Sequence, residues 1–308
     1  MDPKVQIQSI FLCVVNILLT CAGTFLNLLV IVSFWRSSPY LRNKLCYFMI
    51  MVLSVFDFLV VITNHPLLIL RLVFWLKERD DLLATVQIYE HFSNVFIGFS
   101  VMALLVMSIE RYLGGYYPFF HRSSLTKRRL LTFLAVLFLV PIILTIISLN
   151  NLVVSYSTVL IIFFVGIAFP LLLFFNYKLF MISRKARRDV ARRCNNTSSP
   201  EISTLHVNLK NISTCLLSVG CLFLTYFPAF IAFSFTENSR SENTWMAKFW
   251  SSTVANANST LNCLIFFWKN DVLRREGIKA AKALRDRLRM NWKVLKFLAI
   301  HPFMAKHL

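Results

Sequence analysis

Glu110 and Arg111 stand side by side in "SIERYLGG", at the end of a stretch, Val95 to Met107, that holds no charge. Opposite charges at the foot of an apolar run can form an ion pair, and the run would deliver it to one definite depth. Asp57, in "LSVFDFLVV", is a second acid, and it lies in the middle of an apolar run rather than at its end. A carboxylate at that depth costs about 2.5–3.5 kcal/mol to insert, against roughly −0.3 to −0.6 kcal/mol for each Leu, Ile, Phe or Val. Fourteen such residues between Ile50 and Leu70 offset the cost. The segment therefore inserts, and its acid needs a partner.

Polar partners occur at similar depth in other runs: Asn27, Ser100, and Asn258, Ser259 and Asn262 within "NANSTLNC". Asn258 and Asn262 are i,i+4 and share a helix face. Ser100 and Arg111, eleven residues apart, fall close to one stripe at about 3.6 residues per turn. Hydroxyl and amide oxygens around a carboxylate suit a small hard cation such as sodium, or a water cluster. The plainer alternatives are a protonated Asp57 hydrogen-bonded within a bundle and an Arg111 that snorkels to the headgroups.

The elements that must position these groups follow from composition. The chain has 308 residues, 57% hydrophobic and only 15% charged, with a mean hydropathy of +0.64. Soluble domains are about 25% charged, so this chain has too few polar groups to cover a water-facing surface. An all-α membrane protein is predicted. The net charge of +19 raises nucleic acid as a partner. The basic residues fall between apolar segments instead of along one face, and no nucleic acid is expected. Seven cysteines without a C-x-x-C pair support neither a zinc site nor a disulfide framework.

A membrane-spanning helix needs about 20 apolar residues, and seven runs qualify, near 9–35, 45–71, 84–111, 130–149, 153–182, 206–235 and 246–268. The fourth and fifth are divided only by "SLNNLVVS" at 148–155, which predicts a very short outer loop. The first run is too long for a cleaved signal peptide and no A-x-A-like site follows its core, so it reads as a retained anchor. The segments at 36–44, 111–129, 178–210 and 269–308 carry 27 of the 33 Lys and Arg residues. Basic loops stay cytoplasmic, which places the N-terminus outside and Glu110 and Arg111 at the inner membrane face. Asn195 and Asn196 begin N-x-[ST] matches in an inner loop, where no glycan is added; a glycan there would invert the topology. Residues 1–268 form the membrane domain and 269–308 a cytoplasmic tail. In that tail Asn270 and Asp271 can cap a short amphipathic helix, with Leu273, Ile278, Ala281, Leu284 and Leu288 opposite a basic face, suited to anionic membrane lipid.

Over nearly its whole length the chain resembles the rhodopsin-like (class A) G-protein-coupled receptors, as a divergent member. "ERY" at 110–112 with Pro118 is similar to that family's E/D-R-Y box and the proline that follows it. Asn27, Asp57, Pro170, Pro228 in "TYFP" and "NCLIF" at 262–266 match its landmarks in every remaining span except the fourth. The resemblance implies a seven-transmembrane helix bundle that shifts between two packings when a ligand arrives from outside. The sixth span then swings outward, and Arg111 leaves Glu110 to face the C-terminal helix of a Gα subunit. It also implies a switch at Tyr226, Pro228, Phe266 and Pro170, and a structural sodium or water site at Asn27, Asp57, Ser100, Asn258, Ser259 and Asn262.

Departures from the family's pattern sharpen the expectations. Tyr226 stands where the family carries Trp, Phe266 where it carries Tyr, and Cys263 where it carries Pro. Asn208 replaces the acid that faces the arginine in many members, and Tyr177 lies one residue early relative to Pro170. A looser resting state with basal signalling is expected. Val86 replaces the third-span cysteine and "SLNN" has none, so the outer disulfide is absent. Ser93 stands where amine receptors carry Asp, which argues against a monoamine. Asn256 stands where opsins carry the retinal lysine, which excludes a Schiff base.

Pocket candidates from the outer halves of four spans are His65, Glu90, His91, Ser93, Asn94, Tyr226, Phe233 and Trp250. The short stretch before the first span favours a small or lipidic ligand over a large protein hormone. The partners expected are a heterotrimeric G protein, that ligand and membrane lipid, at the plasma membrane. Residues 269–308 contain no Ser, Thr or Cys, so "NTSSPEIST" at 196–204 is the dense site for phosphorylation. The competing reading is an ion-coupled transporter that uses Asp57; the spans share no internal repeat, which argues against it. No H-E-x-x-H or G-x-S-x-G match occurs, and an enzyme is not expected.

Overall fold

The structure, a computed structural model, describes residues 2–77, 82–149, 164–193, 200–235 and 241–300. Every extended element among them is helical, and no strand occurs among the described residues. The helices are α1 (Pro3–Arg36), α2 (Pro39–Asn43), α3 (Leu45–Leu76), α4 (Leu82–Tyr116), α5 (Pro118–Ser124), α6 (Lys127–Leu149), α7 (Phe169–Arg193), α8 (Pro200–Phe235), α9 (Glu242–Lys269) and α10 (Asp271–Ile300). A π-helical turn, Phe164–Ala168, leads into α7. The predicted outer loop after α6, the start of the fifth span, both sequons and most of the hydroxyl cluster before α8 lie outside the described residues.

The helices outrun the predicted apolar cores because their ends are capped in polar sequence. α1 starts at Pro3, where the Asp2 side chain accepts from the Lys4 amide at 2.9 Å and proline opens the first turn. α9 starts after Ser241, whose hydroxyl accepts from the Thr244 amide at 3.3 Å. α10 is capped by Asn270, whose side-chain oxygen accepts from Leu273 N at 3.2 Å. It runs 30 residues, about 45 Å at 1.5 Å per residue. That exceeds the short tail helix predicted, since no helix-breaking residue lies between Gly277 and Pro302.

Six described helices, α1, α3, α4, α6, α7 and α8, are long and apolar enough to cross a membrane. The seventh, α9, is not among them by composition, for its middle reads "SSTVANANST". Its polar side chains are inside: Thr253, Asn256, Asn258, Ser259, Thr260 and Asn262 are all buried. α9 packs on α1, α3 and α8, which shelter that face from lipid. α3 packs on α1 and α4, α4 on α6, α7 and α8, and α7 on α8, so α3 and α4 sit inside the bundle. The result is a seven-helix membrane bundle with α10 leaving its inner end against α1.

Close helix approach is bought by two glycines. A Cβ on Gly23 would lie 2.5 Å from Thr260 Oγ1 and 2.8 Å from Val61 Cγ2, so α1, α3 and α9 meet there only without a side chain. Gly98 plays the same part between α4 and α6, where a Cβ would lie 2.6 Å from Pro141 Cβ.

Candidate functional site

At the inner end, the last turns of α4 bring Glu110 and Arg111 to the edge of the core. The Glu110 side chain is 2% exposed and that of Arg111 12%. Glu110 Oε2 pairs with Arg111 Nη2, while its other oxygen, Oε1, lies 2.8 Å from His121 Nε2. A carboxylate only accepts, so His121 Nε2 carries the hydrogen. His121 arrives from α5, which Pro118 opens with a backbone angle already set for a helix. Sequence reasoning singled out Pro118 but missed His121, three residues on. The signal was there: a proline-started turn of helix directly after α4 must bring its fourth residue back toward the parent helix.

Other contacts tie this end together. Tyr112 stacks on Tyr116, with ring centroids 5.6 Å apart, and meets Phe175 of α7. Asn176 Nδ2 donates to Ser108 Oγ at 3.1 Å, and Ser108 Oγ lies 3.4 Å from Cys215 Sγ, so α4, α7 and α8 share one buried polar contact. A cleft beside Arg111 is lined by Cys46, Ile50, Met107, Thr214 and Cys215.

In the middle of the bundle Asp57 is fully buried. Ser100 Oγ donates to its Oδ1 at 2.8 Å and Asn262 Nδ2 to its Oδ2 at 3.0 Å. Ser259 is within hydrogen-bonding reach of the same carboxylate. Asn258 Oδ1 and Asn262 Oδ1 are buried without a hydrogen-bond partner among the described residues. The carboxylate, the hydroxyls around it and the orphaned amide oxygen of Asn262, whose own nitrogen is bonded to Asp57, fit a sodium-type cation or water. Asn27 is placed otherwise. Its amide donates to Gly23 O at 2.9 Å and Ser259 O at 3.4 Å, and its oxygen accepts from Cys263 Sγ at 2.7 Å, so it fastens α1 to α9 beside the carboxylate.

Of the switch candidates, Phe266 is fully buried and Tyr226 packs against the same inner core. Pro228 lies inside α8, where it removes one backbone donor, and both it and Pro170 are exposed on the bundle's outer surface.

The outer half holds a larger polar network than the sequence suggested. Thr253 Oγ1 donates to Phe249 O at 2.9 Å, and Asn16 Nδ2 donates to Thr253 Oγ1 at 2.9 Å. With its amide nitrogen so used, Asn16 Oδ1 accepts from His65 Nδ1 at 2.6 Å. That fixes the neutral ring's hydrogen on Nδ1 and leaves Nε2 an acceptor, buried without a partner among the described residues. Alongside, Asn64 Nδ2 donates to Ser93 Oγ at 3.1 Å and Asn256 Oδ1 at 3.3 Å, and Asn256 Nδ2 donates to Tyr89 Oη at 3.2 Å. Above them Arg71, 2% exposed, lies over the rings of Tyr89, Trp245 and Phe249 at 5.3–5.4 Å.

Two of the predicted pocket residues lie in these hydrogen-bond chains, His65 in the first and Ser93 in the second, and the chains run side by side where Asn64 and His65 adjoin in α3. His91 and Asn94 are half-buried on α4, and Trp250 lies against Phe11, ring centroids 6.0 Å apart. Tyr226 belongs to the inner core, and the side chains of Glu90 and Phe233 lie outside those described. Asn16, Asn64, Tyr89 and Arg71 were missed. Asn16 had a readable signal, since it lies eleven residues before Asn27 and so on nearly the same face of α1.

A buried acid at mid-depth, an ion pair at the end of α4 and seven packed helices define a multi-pass helical membrane protein. Residues 26–155, less than half of the chain, match the model of the 7 transmembrane receptor (rhodopsin family). The resemblance seen in the sequence is borne out over that stretch, which runs from the inner half of α1 past α6. No curated protein matches the chain.

Proposed function

We propose that the chain is a receptor at the plasma membrane, with its N-terminus outside, that binds a small or lipidic ligand and drives nucleotide exchange on a heterotrimeric G protein. The observation that carries this reading is the double use of Glu110. Breaking a buried ion pair by removing one partner costs about 3–5 kcal/mol, because the remaining charge is left uncompensated. Glu110 is spared that state: when Arg111 turns away, His121 still holds the carboxylate through Oε1. Arg111 is then available to a Gα helix entering between α4 and α8, while Tyr112 and Pro118 keep the end of α4 and the start of α5 in place.

Ligand binding in the outer half, at the layer of His65, Ser93, Asn64 and Asn256, biases the packing of α9 and α8 around Phe266, Tyr226 and Pro228. Asp57, Ser100, Asn258, Ser259 and Asn262 would hold a sodium ion, whose charge neutralises the buried carboxylate. α10 lies along anionic lipid at the inner face.

Because no ligand is needed for basal turnover, the test is ligand-independent exchange on a panel of Gα subunits, with receptor in lipid nanodiscs. Arg111→Ala is expected to lower that exchange at least about tenfold, equivalent to about 1.4 kcal/mol; an unchanged rate from folded, correctly delivered protein contradicts the reading. The cation site has its own test. Sodium chloride should raise the melting temperature over choline chloride in the wild type, and Asp57→Asn should abolish the difference. An equal sodium response in both proteins overturns the assignment.

A further inference from the structure

Residues 36–44 and 112–129 together carry seven Lys and Arg and no Asp or Glu. Three of the seven, Arg42, Lys44 and Lys127, meet at one corner of the bundle. Lys127, the first residue of α6, donates from Nζ to Asn43 Oδ1 at 3.1 Å, which brings it onto the turn from α2 to α3, between Arg42 and Lys44. All three cations are half-buried.

The contacts they make are neutral ones. Lys44 Nζ lies 4.6 Å from the centre of the Tyr40 ring, and Lys127 Nζ lies 5.7 Å from that of Phe48. None of the three belongs to an ion pair among the described residues. Arg42 Nε is buried without a hydrogen-bond partner among the described residues. A buried donor without an acceptor is costly, and this one stands in a corner whose charge calls for an anion. Lys127 uses one of its three donors on Asn43, so two remain for a ligand.

A phosphate monoester meets this demand better than a carboxylate or a phosphodiester. It carries about −1.5 to −2 charges at pH 7 and three acceptor oxygens, which a guanidinium grips as a fork while ammonium groups add point charge. Trp35 and Tyr40, exposed in the same stretch of chain, are of the types that settle at headgroup depth. Basic pockets between helices at that depth hold phosphorylated headgroups. We propose that Arg42, Lys44 and Lys127 form a binding site for phosphate monoesters of the kind carried by polyphosphorylated inositol lipids. The site is separate from the basic face of α10, which lacks such a corner and attracts any anionic lipid. It rests on the receptor reading only in taking this end to face the leaflet that carries those lipids.

The experiment is native mass spectrometry of the purified full-length protein, titrated with phosphatidylinositol bisphosphate, phosphatidylinositol or phosphatidylserine, with soluble inositol trisphosphate as a competitor in a separate arm. The bisphosphate should bind at least about tenfold more tightly than either of the other lipids, since each Lys or Arg near the surface strengthens anionic-lipid binding about fivefold. Arg42→Gln, Lys44→Gln and Lys127→Gln together should weaken bisphosphate binding about a hundredfold on the same basis and erase the preference. The same loss of charge on the exposed face of α10, Lys282→Gln, Arg285→Gln and Arg289→Gln together, should weaken all three lipids alike and keep it. Competition by inositol trisphosphate supports the site and shows that the phosphates alone are recognised; binding of the lipid without such competition supports it with the bilayer-anchored headgroup as the source. Equal binding of the three lipids to the wild type, or a preference that survives the first triple variant, overturns the proposal. If that variant does not fold, Lys127→Gln alone should cost about fivefold, and an unchanged affinity overturns the proposal equally. Failed nucleotide exchange beside an intact preference would sink the receptor reading and leave this site standing.

Discussion

At one end of the bundle Asn16, His65 and Thr253 hold one another in a chain across α1, α3 and α9, with only His65 Nε2 of that chain left without a partner among the described residues. At the other end one carboxylate serves two side-chain donors, Arg111 from α4 and His121 from α5. The difference lies in redundancy. Removing any member of the outer chain strands a buried donor or acceptor, so that end resists change. At the inner end Arg111 can depart and Glu110 keeps a partner. Under the proposed function, the end that holds His65 is the stiffer one and the end that holds Arg111 is the one able to exchange contacts.

The contrast can be broken at the outer end first. Asn16→Leu removes the acceptor of His65 and the donor to Thr253, at a buried site. A cost of about 3 kcal/mol is expected from two stranded polar groups, read as a lowered melting temperature, with basal exchange per folded receptor unchanged. If exchange moves as much as stability, the two ends are not separable in the way described. A smaller effect should come from His121→Phe, which keeps a ring over Gly114 but takes away the second partner of Glu110. About 1 kcal/mol is expected from that loss, discounted for the ring's partial exposure, and it should appear as reduced basal exchange, since Arg111 becomes the only partner left to the carboxylate. Raised exchange in His121→Phe would contradict the shared-carboxylate account.

How much of this could be read in the sequence depends on whether a contact is local or crosses helices. Glu110 and Arg111 are neighbours in the chain at the end of an apolar run, and their depth followed from the run's length. Asp57 was legible for a similar reason, because one acid among fourteen strongly apolar residues is conspicuous. α9 was harder. Its composition alone does not mark a membrane span, and its polar face is tolerated only because α1, α3 and α8 cover it. The outer network was largely hidden, since Asn16, Asn64 and Tyr89 lie on three helices and nothing in linear spacing tells which face of α1 meets α3. Asn27 was read at the right depth, yet its amide reaches Ser259 O and its oxygen takes the Cys263 thiol, a pairing that only the closeness of α1 to α9 at Gly23 creates.

The central claim, that Glu110 restrains Arg111 and that release of the guanidinium is what couples the bundle to nucleotide exchange, is tested most directly by Glu110→Gln. The amide keeps the shape and a hydrogen-bonding oxygen but removes the charge that holds Arg111. Measured without ligand, against wild type at equal amounts of folded receptor in nanodiscs, exchange on the responsive Gα should rise about fivefold, an effect of about 1 kcal/mol. Exchange equal to or below the wild-type rate would contradict the account.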